Sequence, residues 1–401
     1  MAHHKEIRFS RPTKRLILAL LIFMIAYPLV AQKEEIKRKN VVERLVERFT
    51  LYPNKRRARQ DTAIYPAKVI LAPIISFTPE TSLALGVGAK YLFKMPGSGE
   101  ETRTSNIPIS LQYSLNNQLV FYSGFEVFSP QEKYMLEGNL AYQTFPRLYY
   151  GIGRDAPQSN ERIYEYTQLL IEPILLKQAF AKHLFIGAGV RYNAITGVNF
   201  ESQEDEGFRP EPTGALGSKA LGGEFAVVYD SRNNLLNATN GLYAEFTHGF
   251  YDESFGSSHT FQLTRLDLRY FKNLTPDKYN VLAFQLLTHS ASSSAPLAEM
   301  AFFGSHEMMR GYYEGRYIDN KMVAFQTEYR TSLNDWLGLV AFAGIGDVAE
   351  KVSDFSVSNL RWSVGLGLRF KLDRRENLNL RLDWGFAKRS NNYYLKLAEA
   401  F

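Results

Sequence analysis

Residues 362–386 read WSVGLGLRFKLDRRENLNLRLDWGF, and their alternation decides the fold class. Trp362, Val364, Leu366, Leu368 and Phe370 alternate with Ser363, Gly365, Gly367 and Arg369. After a polar turn, Leu378, Leu380, Leu382, Trp384 and Phe386 alternate with Asn379, Arg381, Asp383 and Gly385. A period of two is the signature of a strand with one apolar face. The other face here is small or charged, which suits a barrel with lipid outside and a polar lumen. In hydrocarbon no water satisfies a free strand edge, so a spanning sheet must close on itself.

The same period extends from Val69 to the end. In the stretch 82–93, Leu83, Leu85, Val87, Ala89, Tyr91 and Phe93 alternate with Ser82, Ala84, Gly86, Gly88 and Lys90. The reading is all-β: a transmembrane antiparallel β-barrel over 69–401. Strands are predicted at 82–94, 106–114, 118–128, 132–144, 147–153, 163–177, 182–196, 219–231, 241–252, 259–273, 278–290, 321–332, 336–346, 357–371, 377–388 and 391–401. That gives 16 strands, or 14 if 147–153 does not stand as a strand of its own; single-chain bacterial barrels have even counts. The stretches 197–218 and 291–320 are the long connections.

Composition agrees with an exported barrel. Among 401 residues there are 24 Tyr and 28 Phe but no cysteine. Aromatic girdles at two lipid–water interfaces account for such a content. Residues 1–31 read as a signal peptide: Lys5, Arg8, Arg11, Lys14 and Arg15, then an apolar core from Leu16 to Ala26, then a cut after Ala31. An uncleaved anchor helix is the other reading of that run. Residues 32–68 form a periplasmic arm, with Val42, Leu45, Val46 and Phe49 at helical spacing. The helix is either a solvated linker or one that folds back towards the lumen, and the basic run 55–59 follows it. The net charge of +6 lies partly in the signal and the arm, so nothing points to nucleic acid.

Three stretches resemble the BamA/TamA superfamily of outer-membrane assembly and secretion barrels, also called bacterial surface antigens. The first is GGEFAVVYDSRNNLLNATNGLYAEF, from Gly222 to Phe246, similar to a strand–turn–strand motif with Asp230, Arg232 and a turn glycine, Gly241. Leu235 and Ala238 stand where that turn often has prolines. The second is MRGYYEGRYIDN, Met309 to Asn320, similar to the family's Arg-Gly-Phe/Tyr loop tip. The third is the run from Leu360 to Phe401. The opening PIISFTPETSLALGVGAKYLF is similar to first-strand sequence of shorter members.

The resemblance implies that the loop folds back into the lumen, with Arg310 and Gly311 against the wall. A buried arginine needs carboxylates. Glu328 faces inward if Val323, Phe325, Thr327 and Tyr329 face lipid. Gly311 permits a tight turn, and Tyr312 packs on the wall. The family's second acid, in Phe-x-Asp-x-Gly, is absent: Gly344 takes its place in Phe342-Ala343-Gly344-Ile345-Gly346, leaving Asp383 or Asp347 to compensate. Arg310 as a mere brace for the loop is the plainer reading. At the end of the chain Phe401 shares a face with Leu397, Leu395 and Tyr393, and the terminal aromatic resembles an insertion signal; Glu399 on that face is placed at the water interface.

The resemblance further implies insertion of outer-membrane proteins or translocation of protein, through a seam between first and last strands. Gly86 and Gly88, on the expected first strand, would loosen that seam opposite Phe401. Expected partners are outer-membrane lipid and protein clients or assembly-machine subunits. Residues 32–68 are too few for the ~75-residue POTRA modules that resemblance would add, so client capture falls to another protein. A passive pore, or an accessory subunit of a larger complex, are the alternatives. The Gly-x-Gly pairs lie inside strands and lack a dinucleotide context. The histidines lack metal-ligand spacing. No catalytic cluster, metal or cofactor is expected.

Overall fold

The side chains with least exposure in this protein include Arg310, Arg330, Arg381, Glu328, Asp347 and Asp383, while Leu366 (65% exposed), Val87 (66%) and Trp362 (48%) stand outside. This inverts the distribution of a water-soluble fold. It follows from the two-residue period: one face of every strand goes to the lumen, the other to lipid.

The computed structural model describes residues 50–53, 65–78, 82–200, 212–276, 278–373 and 377–401. The predicted signal peptide, the arm helix and the basic run 55–59 lie outside these. A short strand, β1 (Thr50–Leu51), precedes the barrel. The wall begins with β2 (Lys68–Thr78), β3 (Ser82–Phe93), β4 (Ser105–Ser114), β5 (Leu119–Phe128), β6 (Tyr134–Tyr149), β7 (Arg162–Gln178) and β8 (Leu184–Phe200). It continues through β9 (Ser218–Asp230), β10 (Gly241–Tyr251), β11 (Phe261–Asn273) and β12 (Asn280–Ala291). A small internal ladder, β13 (Ala301–Phe303) with β14 (Tyr317–Asp319), interrupts it. The wall ends with β15 (Lys321–Ser332), β16 (Leu337–Ala349), β17 (Arg361–Asp373), β18 (Leu378–Ala387) and β19 (Ser390–Leu397).

Eleven strands (β2–β12) and five (β15–β19) make a closed antiparallel barrel of 16 strands. An even count returns β19 to the rim where β2 starts; that rim is called here the terminal rim. No helix among the described residues is long and apolar enough to cross a membrane, and the crossing is done by strands.

The count of 16 matches the sequence reading, but two memberships differ. The predicted strand 147–153 does not exist separately: β6 runs unbroken through Tyr149. The missing member is β2, which carries Pro73. A proline lacks a ladder donor and is tolerated in sheets mainly at edges, so its presence masks a strand that borders the seam. The first strand is therefore Lys68–Thr78, not 82–94.

Candidate functional site: loop tip, lumen ion network and seam

The connection between β12 and β15 enters the lumen. Its tip is fixed at Arg310, whose side chain is fully buried. Arg310 Nη1 donates to Asp383 Oδ2 at 2.5 Å, and Nη2 donates to Glu328 Oε1. The guanidinium lies 3.6 Å from the centre of the Phe342 ring. Glu328 sits on the inward face of β15 with Gln326 and Arg330, while Phe325 and Tyr329 are exposed outside. Asp383 is on the inward face of β18. Asp347 does not reach Arg310; it pairs with Arg361 (2.5 Å) and Arg154 (3.2 Å) nearer the far rim.

Backbone meets backbone at the tip. Gly311 has φ +112°, and a Cβ there would lie 2.9 Å from the Phe386 carbonyl carbon. On the facing strand, a Cβ on Gly385 would lie 2.7 Å from Arg310 C and Gly311 N. Only glycine at both positions allows this approach. Gly344 has a related reason: a Cβ there would meet Met309 Sδ at 2.9 Å, so the loop fills the space that an acid side chain would need. Tyr312 is buried with its ring 5.4 Å from Phe303 and 5.9 Å from Tyr317.

The tip is also bonded to the last strand. Gly311 N–H donates to Tyr394 Oη (2.9 Å), and Tyr394 O–H donates to the Tyr312 carbonyl (3.3 Å). Ser390 Oγ and Asn392 Nδ2 both donate to the Gly311 carbonyl, at 2.6 and 2.7 Å. Further back, Glu299 accepts from Arg191 Nη1 and Asn193 Nδ2 of β8, each at 2.6 Å. Glu314 pairs with Arg147 of β6 at 3.0 Å. The loop is thus held on several sides of the wall. Between β4 and β11 a cavity of about 370 Å³ remains, walled by Glu126, Glu137, Glu172, Glu224, Glu245 and Arg265 among others.

The ion pairs continue from the tip to the end of the chain. Arg330 Nε donates to Glu328 (2.7 Å), and Arg369 bridges Asp383 (2.5 Å) and Glu399 (2.6 Å). Arg330 Nη2 donates to the Phe401 carbonyl at 3.0 Å. Along this run Arg310, Arg330 and Arg369 each face a carboxylate, which is the condition for burying either charge.

At the seam, among the described residues, β19 pairs with β2 at one position, Leu395 opposite Phe77. The neighbouring ladders are long: β2 with β3 from Thr78↔Ser82 to Lys68↔Leu92, and β18 with β19 from Ala387↔Ser390 to Leu380↔Leu397. β1 sits on the same edge of the sheet, with Thr50 opposite Ile70 and Leu51 opposite Val69.

An inward loop with a buried Arg-Gly tip, a 16-strand wall and a short seam together define the site, and a family model for the Omp85 superfamily domain matches residues 86–395. The chain belongs to the Omp85 superfamily. Barrels of this superfamily are outer-membrane proteins, acting in insertion or transport rather than catalysis. Two solved structures share the fold of this Omp85 chain. BamA from Haemophilus ducreyi lacking POTRA domains 1-3 has a TM-score of 0.53 at 13% identity, covering 82% of this chain and 70% of that one. CdiB from Acinetobacter baumannii has a TM-score of 0.52 at 13% identity, covering 83% of this chain. This chain matches 59% of CdiB's length. No curated protein sequence matches.

Three sequence expectations for this Omp85 barrel need correction. Gly86 and Gly88 lie on β3, one strand in from the seam, paired with Ile74 and Ala72. Gly86 serves a close approach to β4 instead: a Cβ there would fall 2.2 Å from the Leu111 carbonyl oxygen. Phe401 does not share the lipid face of Leu395 and Leu397. The chain leaves β19 at Ala398 (φ +67°) and turns inward. Phe401 is 9% exposed, with its ring 6.1 Å from Phe271 and 5.1 Å from the Arg330 guanidinium. Glu399 is therefore not at a water interface; its partners are Arg369 and Asn379. The inward turn follows from burying a paired charge, which period-two counting does not register.

The turn motif lies at the terminal rim. Asp230 accepts from Arg232 N, Nε and Nη2 at 2.9–3.1 Å, and from Arg103 Nη1 at 2.7 Å. Arg103 also pairs with Glu132 at 3.0 Å, so one guanidinium ties three turns together. Gly241 (φ +117°) abuts the Ser231 carbonyl, where a Cβ would come to 2.4 Å. Ala238 in that turn packs with Phe271, Ala400 and Phe401. Sequence reading placed Arg330 on the inward face without giving it a role, and missed Arg369, Arg381, Gly385 and Tyr394. A charge on the lumen face of a strand beside an acid was the available signal for the arginines.

Proposed function

We propose that this Omp85 barrel inserts outer-membrane proteins, or passes polypeptide across the outer membrane, using the β2–β19 seam as its working edge. The observation that carries the reading is that, among the described residues, the seam pairs only at Leu395 and Phe77, beside ladders that run the full length of their strands. A strand edge with unmade hydrogen bonds is a template for another strand. A client strand would add to β2 through main-chain hydrogen bonds, its side-chain alternation setting register. The Arg310 tip then acts as a latch: it holds β19 through Ser390, Asn392 and Tyr394 while the seam opens on the β2 side. The loop across the lumen argues against an open solute pore. The partners of this reading are unfolded outer-membrane protein clients and any machine subunits that deliver them.

The test uses the absence of cysteine in the chain. Phe77→Cys with Leu395→Cys, oxidised across the seam, is reconstituted in liposomes and offered an unfolded barrel client. Client folding should fall to the rate of empty liposomes and recover on reduction. An oxidised barrel that works at the parent's rate overturns the proposal.

A further inference from the structure

The first strand of the wall is longer than the last strand can cover. Continuing the register from Leu395 opposite Phe77 brings Leu397 opposite Ile75 and Ala398 opposite Ile74. At Ala398 the chain turns into the lumen: its N–H donates to the Asn379 carbonyl (2.8 Å), Glu399 goes to Arg369 and Phe401 to Arg330. From residue 74 back to 68, the edge of β2 therefore receives nothing from β19 among the described residues.

Further along that edge lies a piece of this same chain. Thr50 and Leu51 pair antiparallel with Ile70 and Val69, in the line that β19 abandons. Leu51 is 56% exposed, on the outward face that Leu71 and Ile75 also present. It extends the apolar band as a barrel strand would. Residues 71–74 between the two partners have no strand opposite them among the described residues.

We propose that Thr50–Leu51 is a resident strand, holding in cis the edge of β2 that a client strand takes and giving way to it. The proposal rests on the insertion reading and names what a client must displace. Among the described residues the segment is two residues long, so few described hydrogen bonds oppose its release. Its tether to β2 supplies it at an effective concentration on the order of millimolar, which keeps weaker competitors off. The partner that fits is an extended segment running antiparallel to β2, with apolar side chains opposite Val69, Leu71, Pro73 and Ile75. A polar segment without that alternation would bury polar groups against lipid.

The test compares three full-length forms in detergent, each first shown to be folded by its heat-dependent gel mobility. One is the parent. The second carries Thr50→Cys and Ile70→Cys, a cross-strand pair whose spacing allows a disulfide. The third carries Thr50→Pro and Leu51→Pro, which removes both ladder donors of the resident strand. The probe is a fluorescent peptide, SNNYYLKL, copied from β19. Fluorescence anisotropy should give at least about tenfold tighter binding to the proline form than to the parent, the tether's advantage being lost. The oxidised form should not bind, and reduction should restore the parent's affinity. Equal affinity in all three forms, or no binding to the proline form, overturns the proposal.

Client folding in liposomes is measured on the same forms. If peptide affinity changes as stated but no form folds a client, the resident strand stands and the insertion reading falls. If the oxidised Thr50–Ile70 form folds client at the parent's rate, the resident strand falls and insertion stands.

Discussion

At the scale of single residues, the lumen is governed by pairing of buried charge. Glu328 and Asp383 are both fully buried and both hold Arg310. Replacing either by its amide keeps the shape and removes the charge. An uncompensated buried arginine costs about 3–5 kcal/mol. Glu328→Gln or Asp383→Asn should lower the temperature at which the barrel loses its compact gel mobility. An unchanged transition would mean that water reaches Arg310. A steric prediction accompanies the electrostatic one. Gly385→Ala places a carbon about 2.7 Å from the loop backbone, closer than any real contact, so the tip must retreat. Limited proteolysis should then cut at 305–316 in the variant but not in the parent, with the wall intact. Arg310 was singled out through the resemblance of its Arg-Gly-Tyr tip to the family's, and Glu328 through its inward place on an alternating strand. Gly385 was not, since its need appears only where two backbones cross.

At the scale of elements, the loop and the last strand behave as one unit. Tyr394 accepts from Gly311 N–H and donates to the Tyr312 carbonyl. Removing one hydroxyl should weaken that unit by about 1–2 kcal/mol, the net worth of such bonds with one buried donor left unpaired. Tyr394→Phe should raise hydrogen exchange at Gly311 and along β19, while exchange in β7 and β8 stays at the parent's level. Equal exchange in β19 would show that the loop does not hold it. The element level is also where sequence reading slipped. Alternation identified nearly every strand because each is half buried in lipid. It took 82–94 as the first strand because Pro73 interrupts the donor pattern of β2. It split β6 near Pro146, although that strand runs unbroken to Tyr149.

At the scale of the whole molecule, the lumen is divided between a filled side and an open one. Loop 292–320 is fixed to β6, β8, β15 and β18. The cavity between β4 and β11 carries more carboxylates than cations on its wall. Deleting 305–316 should therefore convert a poorly conducting barrel into an open channel in planar bilayers. A surface of one sign concentrates counter-ions, so the new current should favour cations. A deletion variant with the parent's conductance would show that the loop does not obstruct the path.

The sequence by itself determined the class: period-two alternation with charge on the hidden face fits a closed barrel with lipid outside, because hydrocarbon forbids an unpaired edge. The same pattern implied an even strand number, while the expectation of an inward Arg-Gly-Tyr loop came from the family resemblance. Tertiary structure alone decided which strands meet at closure, where Phe401 and Glu399 go, and that the second acid on Arg310 is Asp383 and not Asp347. Those depend on register around a full ring and on charges far apart in the chain. A local pattern carries the direction of each side chain but not the identity of what it meets.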